Sequence, residues 1–423
     1  MPVGDSQAWL EAQGEDAPLL FWALTAQGWH RDPPQSMGVA VSGGSDSMAM
    51  LHLLARVASQ TGWALRAVTV DHRLRPEAAD EAAFVGRVCA GLGVPHDVLV
   101  WDHGEITGNL MQAASEARYA LMVGWAQTHG IGMVSVGHTA DDQAETFLVG
   151  LSRAAGLDGL TGMRQEWEQD GVTFRRPFLW QTRAELRGYL AQNGLDWVED
   201  PTNENDSYTR TKARRALKAL KPLGITVDRL SSVIHHLSMA QGVVRQAVAS
   251  AAKEVVAEVA GSLRFEHRAF RLCGPEIQRR LLIAMVRWIG GGTHPPRETK
   301  VIALLRALQQ RKDATLGGVR FRWAGDTCTV SREARAVDGL VPVGQLWDGR
   351  WLVTGPAGEV RALGADGLRH VKDWRKIGIP REVLVVSPAV WQGETLLAAP
   401  LAGHSAEWQA KLDRPFHLFG VVD

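Results

Sequence analysis

The stretch Met37-Gly38-Val39-Ala40-Val41-Ser42-Gly43-Gly44-Ser45-Asp46-Ser47-Met48-Ala49-Met50-Leu51 decides the fold. Met37 to Val41 is apolar and partly β-branched, the composition of a buried strand. Met48 to Ala58 is rich in helix formers and keeps an apolar face. Between them the chain turns across six small residues, Ser42, Gly43, Gly44, Ser45, Asp46 and Ser47. Such a turn cradles phosphate: glycines admit an anion close to the backbone, hydroxyls and amides donate to it, and the helix points its positive end at it. No Gly-Lys-Ser/Thr follows, so this is not the usual phosphate loop. Glycine pairs alone would fit an ordinary strand-to-helix turn; strand, loop with an internal Asp, and helix together favour the cradle.

Downstream, strand and helix alternate. Leu65 to Val70 reads as a strand ending in Asp71-His72, then a helix from Pro76 to Ala90, a strand from His96 to Trp101, a helix from Leu110 to Thr128, and a strand from Met133 to Val136 ending in Gly137-His138. This pattern predicts an α/β fold with a doubly wound, mostly parallel sheet, whose ligands sit at the carboxyl ends of its strands. Ser42, Asp71 and His138 would then converge on one edge, although Asp71-His72 reads about equally well as a turn. Upstream, Asp5-Ser6 is expected to cap one helix running toward Leu24, followed by a turn at Asp32-Pro33-Pro34.

Gly137-His138-Thr139-Ala140-Asp141-Asp142-Gln143-Ala144-Glu145-Thr146 is the second chemical signal. A histidine and two acids where a helix opens can hold a cation, orient a nucleophile or accept a proton. Helix capping accounts for one of the acids but does not require the histidine. Thr182 to Asn193 reads as a helix with Arg183, Glu185 and Arg187 on its polar side, and 200–206 as a loop. From Pro201 to Ala324 basic residues outnumber acidic ones roughly two to one, a bias that suits a phosphate-tracking surface. Thr226 to Ala260 and Pro275 to Gln310 read as helical with a break at Gly290 to Pro296. Thr315 to Arg332 reads as a hairpin around Gly325-Asp326, and the tail carries short strands at 350–353 and 394–397. Three domains are expected: 1–222, a helical 223–312, and a small mixed or β-rich 313–423.

The 423 residues carry 46 basic and 46 acidic side chains, so contact with nucleic acid must come from local clustering. Cys89, Cys273 and Cys328 form no Cys-x-x-Cys pair, which argues against a disulfide framework or structural zinc. No signal segment or membrane-length apolar run is visible, and a soluble cytoplasmic protein is expected.

The loop at Ser42 to Ser47 resembles the SGGxDS loop of the PP-loop ATP pyrophosphatases, of the adenine nucleotide alpha hydrolase-like fold. Val70 to Arg75, Ala117-Arg118-Tyr119, Gly137 to Thr146, Arg176-Pro177-Phe178-Leu179, Glu199 to Asn203 and Ala314 to Val319 are, in this order, similar to motifs of the tRNA(Ile)-lysidine synthases. The resemblance implies ATP-dependent ligation of L-lysine to C2 of the wobble cytidine in the CAU anticodon of tRNA(Ile), through an adenylated cytidine, with AMP and pyrophosphate released. It further implies that Ser42 to Ser47, Asp71 and His72 hold ATP, with Asp46 a candidate for Mg2+. Asp142 and His138 would orient and deprotonate lysine. Arg118 would stabilise negative charge near the cytidine or the transferred phosphate. Arg210, Lys212, Arg214, Arg215 and Lys218 would bind tRNA, as would the two C-terminal domains. A homodimer is compatible with it. Met111, Ser115 and Thr139 stand where family members commonly carry Glu, Arg and a second His. Two alternatives remain: a PP-loop tRNA thiolase, which the absence of a cysteine pair disfavours, and a catalytically silent tRNA-binding module.

Overall fold

The computed structural model describes residues 3–25, 36–74, 77–104, 110–199, 209–292, 294–337, 339–405 and 407–417, with no side-chain description at 3–6. The expected turn at Asp32-Pro33-Pro34, the loop 200–206, Pro76 and Tyr208 lie outside these residues. Two compact units divide the chain, 1–241 and 242–423. The sequence boundaries after 222 and after 312 each fall inside one of them.

The first unit opens with α1 (Val3–Glu11) and α2 (Ala17–Leu24). The single helix expected there is two, because Gly14 adopts φ +58° and Pro18 restarts the helix in its first turn. Asp5 and Ser6 therefore lie within α1 instead of capping it. Then come β1 (Ser36–Ala40), α3 (Ser45–Thr61), β2 (Ala64–Asp71), α4 (Ala78–Leu92), β3 (His96–Val100), α5 (Leu110–Thr128), β4 (Met133–Val136) and α6 (Ala140–Ser152). They are followed by α7 (Leu157–Leu160), a hairpin of β5 (Glu166–Gln169) and β6 (Val172–Arg175) that the sequence reading did not anticipate, α8 (Arg183–Gln192) and α9 (Thr209–Leu220). The helix α10 (Val227–Val255) leads into the second unit.

The sheet runs β3-β2-β1-β4-β6-β5, parallel throughout except for the antiparallel edge strand β5. Central β1 is apolar because helices cover both faces. On one face α3 packs Met48, Leu51, Leu54 and Val57 among Leu20 of α2, Cys89 of α4 and Leu186 and Leu190 of α8. On the other, Met122, Val123 and Ala126 of α5 meet Val68, Val134 and Phe174. β1 pairs with β2 on one side and β4 on the other, so the strand order reverses there. Ligands of doubly wound sheets bind at that crevice.

The second unit begins with β7 (Val256–Val259) and β8 (Ser262–Glu266), a hairpin where the sequence predicted helix to Ala260. Ala260 and Gly261 both take positive φ, +49° and +73°, the geometry of a two-residue hairpin turn. α11 (His267–Leu272), α12 (Pro275–Gly290) and α13 (Glu298–Gln309) follow, then β9 (Ala314–Leu316), β10 (Val319–Ala324) and β11 (Thr327–Arg332). The five strands form an antiparallel sheet in the order β7-β8-β11-β10-β9, and β10 and β11 are the expected hairpin around Gly325-Asp326. Two smaller antiparallel sheets complete the tail, including strands at Trp351–Thr354 and Thr395–Ala398.

The end of β4 lies directly against the start of α3: a Cβ built on Gly137 would stand 3.1 Å from the Ser47 Cα and 3.2 Å from its backbone nitrogen. Backbone cannot swing aside as a flexible side chain does. Gly137→Ala should therefore cost about 1–3 kcal/mol in urea unfolding. Gly132→Ala, whose Cβ would meet nothing within 4 Å, should stay within about 0.5 kcal/mol of the parent.

Candidate active site at the ends of β1 and β4

The glycine-serine loop is cross-braced by its own hydrogen bonds. Gly43 takes φ +89°, open to glycine without strain, and its carbonyl accepts from the Val198 amide at 2.9 Å. The Ser42 amide donates to Ser47 Oγ (3.1 Å), which in turn donates to the Gly44 carbonyl (3.0 Å). The Met48 amide closes the first helical bond on Gly44 at 3.0 Å. The first-turn amides of α3 have no partner within the helix, which is what makes such an end an anion site.

Asp46 is not free. Its Oδ2 accepts from Arg183 Nε at 2.9 Å and its Oδ1 from Ser45 Oγ at 3.2 Å. Burial pushes this carboxyl up, opposed by the guanidinium. Arg183 also lies 3.6 Å from Asp142 Oδ1 and 3.9 Å from Glu145 Oε1, and its amide donates to Asp141 Oδ2 at 2.8 Å. Burial alone would lower its pKa, yet the surrounding carboxylates raise it. One turn on, Arg187 Nε donates to Ser45 Oγ at 3.1 Å. The capping box of Thr182 and Glu185 starts α8 and aims both arginines at the loop. From sequence, Arg183 and Arg187 read only as residues of a polar helix face, without a role. Their i,i+4 spacing was the available signal.

The turn Gly137 to Thr146 sits opposite the loop, as expected for motifs at neighbouring strand ends. Of its two acids the capping one is Asp142, whose Oδ2 accepts from the Thr139 amide (2.9 Å) and hydroxyl (3.1 Å). Its Oδ1 faces Arg183 and, at 3.7 Å, Arg210. Burial pushes the Asp142 carboxyl up, but Arg183, the Thr139 amide and Arg210 outweigh it and leave it low. His138 Nδ1 accepts from Arg176 Nε at 3.0 Å. Arg176 is stacked 4.0 Å over the Trp167 ring and donates to the Arg164 carbonyl. Burial, then the charge of Arg176, push the His138 imidazole down to about 3.

Glu145, 1% exposed, accepts from Arg214 Nε at 2.6 Å through Oε1, while its buried Oε2 has no hydrogen-bond partner. Burial pushes its carboxyl up. It lines a cavity of about 510 Å³ with Asp141, Arg183, Arg214 and Lys218. Arg210, itself exposed, and the half-buried Arg214 thus turn toward acids, while Lys212, Arg215 and Lys218 are exposed, the last two also at the cavity. Asp71 Oδ1 accepts from the Arg73 amide at 2.8 Å, the turn role. His72 meets Trp101 edge to face at 5.9 Å, and burial and the neighbouring charge of Arg118 push it down. Arg118 lies 4.9 Å over the Tyr119 ring, and its buried Nε has no partner.

Among the described residues no group of three or more His, Cys, Asp or Glu could hold a metal ion. Burial pushes the thiols of Cys89 and Cys328 up to about 11 and about 12, far from the thiolate character that sulfur chemistry needs.

A family model described as the PP-loop domain matches residues 23–220. The tRNA(Ile)-lysidine synthase of Ruegeria pomeroyi is 46% identical over 385 residues, covering 90% of this chain and 92% of that protein. Those of Rhodopseudomonas palustris (39%, covering 69% of this chain and 89% of that protein) and Zymomonas mobilis (37%, 67% and 84%) are similar too.

The His138 imidazole gains its proton near 6.5 when unfolded and near 3 when folded. Between those values the unfolded chain binds more protons, so folding stability falls as pH is lowered, by up to about 1.4 kcal/mol per pH unit. Unfolding by urea at about pH 7.5 and about pH 5 should show a larger loss for the parent than for His138→Gln.

Proposed function

The chain belongs to the tRNA(Ile)-lysidine synthase family, and from that premise we propose how its site divides the work. The chain is a ligase: it uses ATP to join L-lysine to C2 of the wobble cytidine in the CAU anticodon of tRNA(Ile). The C2 oxygen is a poor leaving group. It first bonds to the α-phosphorus of ATP as the bond to pyrophosphate breaks, the electron pair departing with pyrophosphate. The lysine ε-nitrogen then bonds to C2, and the C2–O2 bond breaks with its electrons leaving on AMP. A free ε-ammonium has a pKa of about 10.4, so the site must accept its proton before attack.

Ser42, Gly43, Gly44, Ser45, Asp46 and Ser47 hold the phosphates on the α3 amides, with Asp71 and His72 at the nucleoside end. Mg2+ on a nucleotide is bound mainly by phosphate oxygens and water with one or two carboxylates. Asp46 fits as that single carboxylate, shared with Arg183. Asp142, His138 and Arg118 face the reacting groups. Glu145 Oε2, a buried oxygen lacking a partner with its carboxyl pushed up, suits a proton acceptor for an ammonium. Lys212, Arg215 and Lys218 supply exposed charge for tRNA phosphates, together with the segments 223–312 and 313–423 as the recognising domains. A cytoplasmic location and a homodimer complete the proposal; no described helix is long and apolar enough to cross a membrane.

The observation that carries this division is Arg183, bonded to the phosphate-loop Asp46 and facing Asp142 and Glu145 across the same crevice. Incubation with ATP, tRNA(Ile) bearing CAU and labelled lysine should place the label in RNA. A thiolase would leave none there, and a silent module would release no pyrophosphate. Asp46→Asn should lower tRNA-dependent pyrophosphate release by about 10²-fold or more while tRNA binding in a filter assay stays near the parent's. Retained release would remove the phosphate-loop assignment.

A further inference from the structure

His138 is an unusual imidazole in this site because the hydrogen bond to its Nδ1 comes from an arginine. A guanidinium can only donate, so Nδ1 must offer a lone pair, and the ring proton resides on Nε2. Arg176 is itself fixed from two further directions, by the Trp167 ring beneath it and by the Arg164 carbonyl. It is 9% exposed, so it cannot turn aside without losing both. No protein acceptor meets Nε2 among the described residues.

The charges around the ring point the same way. Burial first, and then Arg176, Arg118 and Arg210, disfavour a positive ring on His138, against the single acid Asp142, whose Oδ2 is already engaged by the capping box. Three guanidiniums repel an approaching ammonium and attract a phosphate. A neutral N–H donor in that setting stabilises negative charge without adding a cation of its own.

We infer that Arg176 is a positioning residue that locks His138 in its neutral, Nε2-protonated form, and that His138 serves the reaction as a hydrogen-bond donor to the α-phosphate oxygens instead of as the base for lysine. The inference rests on the functional reading above and refines one role within it. The same donor serves both steps, because the α-phosphate is anionic when pyrophosphate departs and again when AMP leaves C2.

Nitrogen-resolved imidazole spectra of the full-length ¹⁵N-labelled protein test the lock directly, with the His138 signals assigned by their loss in His138→Gln. The parent should show a protonated Nε2 and an accepting Nδ1, unchanged from about pH 8 to about pH 5. In Arg176→Met the ring should populate both tautomers and gain its proton at a higher pH than in the parent. Arg176→Leu, which likewise removes both charge and donor, provides the same readout if the methionine variant does not fold. In pyrophosphate release, His138→Gln, which keeps an N–H donor but cannot act as a base, should exceed His138→Ala by about tenfold or more. A proton on Nδ1, a ring that titrates in the parent together with the rate, or equal losses in the two variants would each overturn the inference. Failure of the parent to incorporate lysine would instead remove the functional reading, and the spectra would report the tautomer regardless.

Discussion

A guanidinium lodged among carboxylates is the constraint on which the first unit's chemistry depends. Asp46, Asp142 and Glu145 come from the N-terminal ends of two helices far apart in sequence, α3 and α6, and burial pushes the carboxyls of Asp46 and Glu145 up. Without a cation between them, buried acids this close would repel and protonate. Arg183 opposes that rise, with Arg214 at Glu145, and because Arg183 rides on α8, the packing of that helix onto α3 through Leu186 and Leu190 becomes part of the active-site geometry. A buried ion pair stabilises little in net terms, since desolvation offsets most of the attraction. What it supplies here is register: the phosphate loop and the Gly137 to Thr146 turn are held in one arrangement before substrates enter.

The parallel sheet and its ligand edge were legible in the sequence because each strand is a short apolar run ending in polar residues, and each helix a longer amphipathic one. Met133 to Val136 and Leu110 to Thr128 were found at their observed bounds. The failures have local causes. The β5-β6 hairpin is only four residues a side, and charged Glu166 and Glu168 mask its alternation. The chain from Val255 to Val259 continues a long helical pattern, and only two adjacent left-handed residues reveal the turn. Within the site, motif residues were visible because their spacing is distinctive. The roles of Arg176, seen only as part of a family motif, and of Arg183 were not, because one arginine on a helix face or strand end looks like any other. Their meaning depends on which acid or imidazole the fold brings to them.

Asp142 shows how far a motif reading can carry. The sequence offered capping or chemistry for the two adjacent acids, and the structure gives Asp142 a share in both, one oxygen to the Thr139 cap and the other to Arg183 and Arg210. A carboxylate pinned through one oxygen cannot rotate, so the direction of its free lone pairs is set by the helix start itself. Glu145 extends the same logic one turn later along α6, with Arg214 holding one oxygen and leaving the other unpaired.

The same division runs along α9. Arg210 and Arg214, four residues apart, lie on one face and meet Asp142 and Glu145. Lys212 and Arg215 fall away from that stripe and are exposed. A basic run that reads as one RNA-binding feature is therefore two features on one cylinder. One row faces the acids of the crevice, with Arg210 still half exposed, and the other faces solvent. In a chain of zero net charge this separation matters, because an arginine already compensated by a buried acid adds little field outside the protein. Arg214, paired with the buried Glu145, then adds less to the attraction for RNA than a count of basic residues suggests.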